Sequence, residues 1–450
     1  MKRNKKYERK IIMNPLAQEL NEIIKERNPY IYSMLSQLGK SLFFPKGILS
    51  QTAEAKKKAT KYNATIGIAT ERSAPMYLPC IQKNFREIDP KDSYPYAPAS
   101  GKPQLRKKWK EKLLEDNPSL KGKFFGLPIV TNGLTHGLKL AADMFVDPGN
   151  VIIMPDKFWE NYELVFKVLK GADIRTFPLF NSQRKFNVDG LNKLLNDLTS
   201  EREKLIILLN FPNNPTGYSI NSAEGEKIVE IIETTAKKGT QTIVILDDAY
   251  FGLFYEDEIM QESLFGHLIN RQKNILGIKL DGPTKELFVW GFRVGFLTYG
   301  LGEGDEEIYN ALEKKSMGAI RGGISNCSHL AQSVVLKALN SSTYKQEKAE
   351  KLTILKKRAQ KTQKVLKNKK YNSLWEPYPF NSGYFMCLRL KEVEAEPLRV
   401  HLLEKYGVGT IAMDRWDLRV TFSSIEEEDI EDLFDLIAQG VKDLMKKNSQ

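Results

Sequence analysis

The sequence predicts an α/β protein built on a mostly parallel sheet with helices on both faces. Three observations carry that prediction. Between residues 127 and 248, short runs of Val, Ile and Leu alternate with segments whose apolar residues recur at helical spacing. Those runs (PIV, VIIM, LIILL, TIVIL) are continuous in apolar character, as strands buried on both faces require. A chain of 450 residues also exceeds one ordinary domain, so at least two are expected.

Each element has its own signal. NPLAQELNEIIKER (14–27) predicts a helix with Asn14 as N-cap and Pro15 in the first turn. AEAKKKATKYN (53–63) predicts a polar helix and TIGIAT (65–70) a short strand. SYPYAPASGKPQLRKKWKEKL (93–113) opens as Pro-rich extended chain and passes into a helix ending near Pro118. Strands are then expected at 127–133, 151–156, 173–179, 204–210 and 242–248, with helices at 134–146, 160–171, 188–198 and 223–239 between them. Right-handed crossovers should join them, and ligands bind such sheets at the C-terminal ends of the strands. SIEEEDIEDLFDLIAQGVKDLM (424–445) predicts a terminal helix with Ser424 as N-cap.

Composition narrows the function classes. With 41% apolar and 28% charged residues, the chain falls among globular proteins rather than disordered or membrane ones. No apolar run is long enough to span a bilayer, and no signal-peptide core follows the basic N-terminus, so a cytoplasmic protein is expected. Cys80, Cys327 and Cys387 are too scattered for a disulfide framework, and the four histidines show no metal-ligand spacing. The net charge of +12 invites a nucleic-acid reading. Its lysines are spread along helix-like segments among glutamates, and no DNA- or RNA-binding motif is present. A basic surface and a preference for anionic substrates are expected instead.

The chemistry collects at the strand ends. In DGPTKELFVWGFRVG (281–295), Lys285 stands ahead of an apolar run. Burial disfavours an ammonium and frees an amine that can form a Schiff base with a carbonyl cofactor. Arg293 sits in GFRVG, where small neighbours allow a bidentate grip on phosphate. An amine for an aldehyde and a guanidinium for a phosphate together describe pyridoxal phosphate. Asn132, Gly133, Leu134 and Thr135 form a strand-to-helix turn whose N–H groups suit a phosphate. Trp159 follows the next strand and can stack on a planar ring. Asn214, in the turn-dense NNPTG, can donate to a ring oxygen. Asp247 and Asp248 end a buried strand, where a protonated ring nitrogen would be a fitting partner. Tyr250 can reach the same ring's hydroxyl. Each feature alone is also compatible with ordinary packing, a snorkelling lysine included.

The ordered set NNPTG, DDAY, Lys285 and GFRVG resembles the fold-type I, pyridoxal-phosphate-dependent aminotransferases of class I/II, from about residue 65 to the C-terminal helix. The resemblance implies roles. Lys285 would be the Schiff-base lysine and proton shuttle. Asp247, rather than Asp248, would partner the pyridine nitrogen. Tyr250 and Asn214 would donate to the 3′-oxygen, and Trp159 would stack on the ring. Arg293 with Gly133, Leu134 and Thr135 would hold the phosphate, and Tyr96 would reach the phosphate of a neighbouring subunit. Arg419, in DLRVTF, would fork the substrate α-carboxylate. Arg321 stands where the aspartate-specific branch places the arginine that reads a distal carboxylate across a homodimer. An amino acid and a 2-oxo acid would be the substrates, and no metal is implied.

The family fold implies a mixed, mostly parallel sheet in a large domain (91–310). Residues 1–90 would supply an arm and part of a smaller α/β domain, completed by a linking helix and residues to 450. This sequence also departs from the pattern. Gly282 replaces a frequent serine, Ala69 stands where a substrate-facing glycine is common, and Cys327-Ser328-His329 replaces a frequent Pro-Pro. The same cofactor residues would equally serve a C–S lyase or decarboxylase, or a cofactor-binding protein without turnover.

Overall fold

The computed structural model describes residues 13–43 and 47–448; the basic residues 1–12 lie outside them. Helix α1 (Pro15–Arg27) starts as its sequence dictates, with the Asn14 side chain accepting from the Leu16 N–H at 2.9 Å and Pro15 in the first turn. Two short helices, α2 (Pro29–Met34) and α3 (Gln37–Ser41), pack on it. The predicted polar helix is α4 (Ile48–Lys58), which stops before Ala59. Strand β1 (Tyr62–Asn63) and a hairpin of β2 (Thr70–Glu71) with β3 (Ala74–Pro75) follow, then α5 (Pro79–Asn84).

The strand expected at 65–70 is therefore absent except for Thr70. Backbone groups there serve other partners: the carbonyls of Thr65, Gly67 and Ile68 accept from Arg419, Lys285 and Ser423. A ladder would have consumed them.

The regular half then unfolds as the pattern predicts. Helix α6 (Pro103–Asp116) leads to β4 (Ile129–Thr131), α7 (Leu134–Phe145) and β5 (Val151–Pro155). The expected helix after β5 is a π-helical turn at Glu163–Val168, closed by Leu169 N–H donating to the Leu164 carbonyl at 2.9 Å. Next come β6 (Asp173–Phe177), α8 (Val188–Thr199), β7 (Lys204–Asn210), α9 (Ser222–Lys237), β8 (Gln241–Asp247), α10 (Leu264–Leu268), β9 (Ile275–Asp281), α11 (Pro283–Glu286) and β10 (Gly295–Leu301). Helix α9 begins in a reciprocal capping box between Asn221 and Glu224.

These strands form one seven-stranded sheet in the order β4-β10-β9-β8-β7-β5-β6. Within the described residues, β10 alone runs antiparallel, so the sheet is mixed and mostly parallel. Burial on both faces explains the continuous apolar runs. Along β7, Leu205, Ile207 and Leu209 enter one core cluster while Ile206 and Leu208 enter another.

Helices α12 (Glu306–Gly323), α13 (His329–Leu339) and α14 (Tyr344–Leu366) lead to a second, antiparallel sheet. Its strands are β11 (Trp375–Pro377), β12 (Phe385–Leu390), β14 (Ile411–Ala412) and β15 (Asp417–Thr421). Helix α15 (Ala395–Tyr406) precedes β13 (Val408–Gly409), which pairs in parallel with β1. The terminal helix α16 (Ile430–Asn448) starts six residues later than Ser424. Ser424 is not its cap: that hydroxyl donates to the Asn63 and Thr421 carbonyls, and the acids 427–429 form a 3₁₀ turn. No helix among the described residues is long and apolar enough to cross a membrane.

Candidate active site

The C-terminal ends of β7 and β8, the β4–α7 turn and α11 converge on one cavity of about 200 Å³. Leu134, Thr135, Trp159, Asn214, Asp247, Tyr250, Lys285 and Arg293 all line it.

Lys285 is held by α11, whose first turn is fixed by Pro283. Its Nζ donates to the Gly67 carbonyl at 3.2 Å and lies 5.1 Å from the Tyr250 ring centroid. Its own carbonyl accepts from the Tyr384 hydroxyl at 2.7 Å. Burial, then the guanidiniums of Arg293 and Arg419, push the amine down to about 7, and Asp247 opposes them only in part. Near neutral pH a large fraction of this lysine is therefore free amine.

Asp247 is buried at the end of β8. The Tyr162 hydroxyl donates to its Oδ2 at 2.7 Å and the Ala249 N–H to Oδ1 at 3.2 Å. Burial raises the carboxyl to about 6 despite these two donors. Asp248 points elsewhere: it pairs with the fully buried Lys279 and accepts from Ser263 at 2.6 Å. A strand's alternation separates the two acids, so only Asp247 faces the cavity.

Arg293 adopts φ 55°, and its guanidinium packs against the α7 N-terminus. Gly133 makes this possible twice over. Its φ is 75°, and a Cβ there would stand 2.4 Å from Arg293 Nη2. Gly282 is in extended backbone, but a Cβ on it would lie 2.9 Å from Gly295 Cα, so the serine frequent in relatives has no room here. The glycine beside the lysine is Gly67, whose Cβ would approach Lys285 Nζ at 3.8 Å. Ala69 is fully buried and its carbonyl accepts from the Met76 N–H at 3.0 Å at the open end of the hairpin, so the departure read at Ala69 is corrected.

Arg419 on β15 is 1% exposed. It donates to Asn214 Oδ1 at 3.2 Å and to the Thr65 carbonyl at 3.1 Å, and stacks 4.2 Å over the Phe385 ring. Its Nε is left without a partner. Among the described residues, neither Arg293 nor Arg419 forms an ion pair with a carboxylate. Arg419 is buried, and a buried guanidinium without an anion is costly, while Arg293 is exposed; both are open to anionic ligands. With one acid facing an amine and two guanidiniums, its residues fit a phosphate and a carboxylate together.

The sequence reading missed Tyr162, Asn210 and Thr284, which also line the cavity. Tyr162 follows Trp159 by three residues, with ring centroids 5.7 Å apart, and one-turn spacing is the signal that could have found it. Four predicted residues are not in its lining: Gly133 and Arg419, which adjoin it at Arg293 and Asn214, and Tyr96 and Arg321, which lie apart. Tyr96 is 88% exposed, and Arg321, at the end of α12, donates to Ser325 Oγ at 2.6 Å.

Known proteins share this frame. A solved aminotransferase from Anaerococcus prevotii superposes with a TM-score of 0.81 at 24% identity, covering 90% of this chain and 98% of that one. The cytoplasmic aspartate aminotransferase of Saccharomyces cerevisiae gives 0.73 at 18% identity, over 92% and 99%. In sequence, an aspartate aminotransferase of Sulfurisphaera tokodaii is 27% identical over 336 residues, 72% of this chain and 75% of its own. A histidinol-phosphate aminotransferase of Chlorobaculum parvum is 31% identical over 178 residues, 38% of this chain and 44% of its own. Residues 68–437 match the family model for aminotransferase class I and II. That match takes in both sheets and every cavity residue, and it places the chain in the class I and II aminotransferases, pyridoxal-phosphate-dependent transaminases of fold type I.

Proposed function

We propose that this aminotransferase takes aspartate or glutamate as amino donor and 2-oxoglutarate as acceptor, in homodimers with shared sites. The observation that carries the catalytic assignment is the desolvated Lys285 amine, held down to about 7 between two guanidiniums.

Bound pyridoxal phosphate supplies an aldehyde for that amine and an electron sink for the substrate's Cα–H bond. The chain's residues do the rest. Lys285 Nζ would hold the cofactor through its aldehyde, and as a free amine it would take and return the substrate's α-proton. Asp247, braced by Tyr162, keeps a proton on the cofactor's ring nitrogen. Asn214 and Tyr250 would donate to its 3′-oxygen, and Trp159 would cover its ring. Gly133, Leu134 and Thr135 offer N–H groups, and Arg293 a guanidinium, to its phosphate. Arg419 forks the α-carboxylate and thereby gains the anion it lacks.

The exposure of Tyr96 supports a role in the neighbouring subunit's site, and Arg321 would reach the same site from the partner's side. Support for aspartate comes from the names of several relatives. Residues 91–310 would act as the large cofactor domain, and 1–90 with 311–450 as the arm and small domain; pairing of β1 with β13 supports that division. Three buried free cysteines support a reducing, cytoplasmic setting.

The test compares kcat/KM for aspartate and for alanine or phenylalanine in the parent and in Arg321→Ala. Aspartate preference should fall by roughly 10²-fold or more, given the several kcal/mol that a desolvated pair lost from one side costs. An unchanged ratio would remove Arg321 as a side-chain reader.

A further inference from the structure

The loop carrying Tyr96 is gripped by α13 at the peptide directly before the tyrosine. His329 Nδ1 lies 2.9 Å from the Pro95 carbonyl oxygen. Its Nε2 lies 3.3 Å from Lys102 Nζ, an ammonium that can only donate. The ring nitrogens therefore have opposite duties: Nδ1–H donates to Pro95 and Nε2 accepts from Lys102. Lys102 is itself buried and tied to Asp92 and, at 3.2 Å, to Ser333. Ser333 donates to the Asp92 carbonyl at 2.7 Å, and Gln332 accepts from the Lys102 N–H at 2.7 Å.

Both ends of the 92–102 loop are thus fixed to α13, while Tyr94 and Tyr96 are 87% and 88% exposed. An aromatic left in water by a loop held this firmly is placed for something outside the chain. His329 is also one of the residues that replace the frequent Pro-Pro, a departure the cavity does not use.

Resting on the shared-site reading above, we propose that His329, anchored through Lys102, is a positioning residue that sets Tyr96 for the cofactor phosphate of the partner subunit. A neutral imidazole suits the task because it donates on one side and accepts on the other. A phenyl ring of similar shape does neither.

The test uses full-length protein with pyridoxal phosphate as the probe. His329→Phe should weaken cofactor affinity by roughly tenfold, the worth of one lost hydrogen bond at 1.4 kcal/mol. His329→Asn, whose amide can still donate to Pro95, should recover most of it. Both should sediment as the parent does and melt close to it. Mixing His329→Phe with Lys285→Ala then assigns the subunit. In hybrid dimers the intact Lys285 site faces an intact His329 loop, so cofactor affinity at that site should return to the parental value.

Unchanged affinity in His329→Phe, or no recovery in His329→Asn, overturns the inference. Tyr96→Phe serves as the control for the reading beneath it. If Tyr96→Phe weakens affinity and is rescued in hybrids while His329→Phe is not, the inference alone fails. If Tyr96→Phe has no effect or the protein is a monomer, the shared site fails with it.

Discussion

At the scale of single residues, the lysine and its acid are set by opposite uses of burial. Burial lowers Lys285 and raises Asp247, which brings both toward neutrality. The cost of Lys285 can be measured in the cofactor-free protein. Its folded value lies below the unfolded one, so between about 7 and about 10.4 the unfolded chain holds a proton that the folded chain lacks. Stability at this group therefore rises with pH through that window and is lowest below it. Lys285→Met should be more stable than the parent by roughly 3–5 kcal/mol near pH 6, with the gain shrinking toward pH 10. Denaturant melts at the two pH values would check this, and equal gains would contradict it. Asp247→Asn should lower kcat by roughly 10²–10³-fold while the protein still binds cofactor, read by single-turnover kinetics. Borohydride reduction followed by mass mapping should find the cofactor on Lys285 and nowhere else. These two residues were legible in the sequence because a charge beside a run of Val, Ile and Leu demands a reason. Tyr162 was less so, since nothing marks a tyrosine at the head of a helical segment as a partner for an acid 85 residues away.

At the scale of elements, strands buried on both faces declare themselves in sequence: five of the sheet's seven strands lie where their apolar runs predict them, while β9 and the antiparallel β10 were not read. The segment 65–70 does not declare itself, because its backbone is held by side chains from α11, β15 and the turn after β15 and not by its own alternation. Ser424 misled for a similar reason: cap and tertiary contact draw on the same hydroxyl. Three glycines let the β4–α7 turn, α11 and β10 meet at close range. Gly282→Ser should therefore cost about 1–3 kcal/mol by overpacking, rather than add a hydroxyl to the site. A thermal melt and a cofactor titration separate these outcomes, and a tighter-binding, equally stable variant would reverse the conclusion.

At the scale of the whole molecule, Glu286 ties the lysine turn to distant helices. It is 4% exposed and pairs with Lys112 of α6 at 3.0 Å and Lys348 of α14 at 2.5 Å. Burial opposes its charge, but the two ammoniums hold the carboxyl low. Glu286→Gln would strand Lys348 and leave Lys112 with Asp116 alone, and should lower stability by about 3–5 kcal/mol, seen as a fall in Tm. None of this was legible beforehand, because an ion pair across 62 residues leaves no local pattern.

The pairing of β1 with β13 has a consequence for how the chain is made. The seven-stranded sheet is contiguous in sequence and can assemble while synthesis continues. The contact between Arg419 and the Thr65 carbonyl cannot. Arg419 and the Thr65 carbonyl that holds it stand 354 residues apart, on either side of that sheet in sequence, so a segment made before the sheet must wait for one made after it. During that interval the nascent chain can carry Lys285 and the β4–α7 turn without Arg419, and the pocket is completed only after the sheet beneath it.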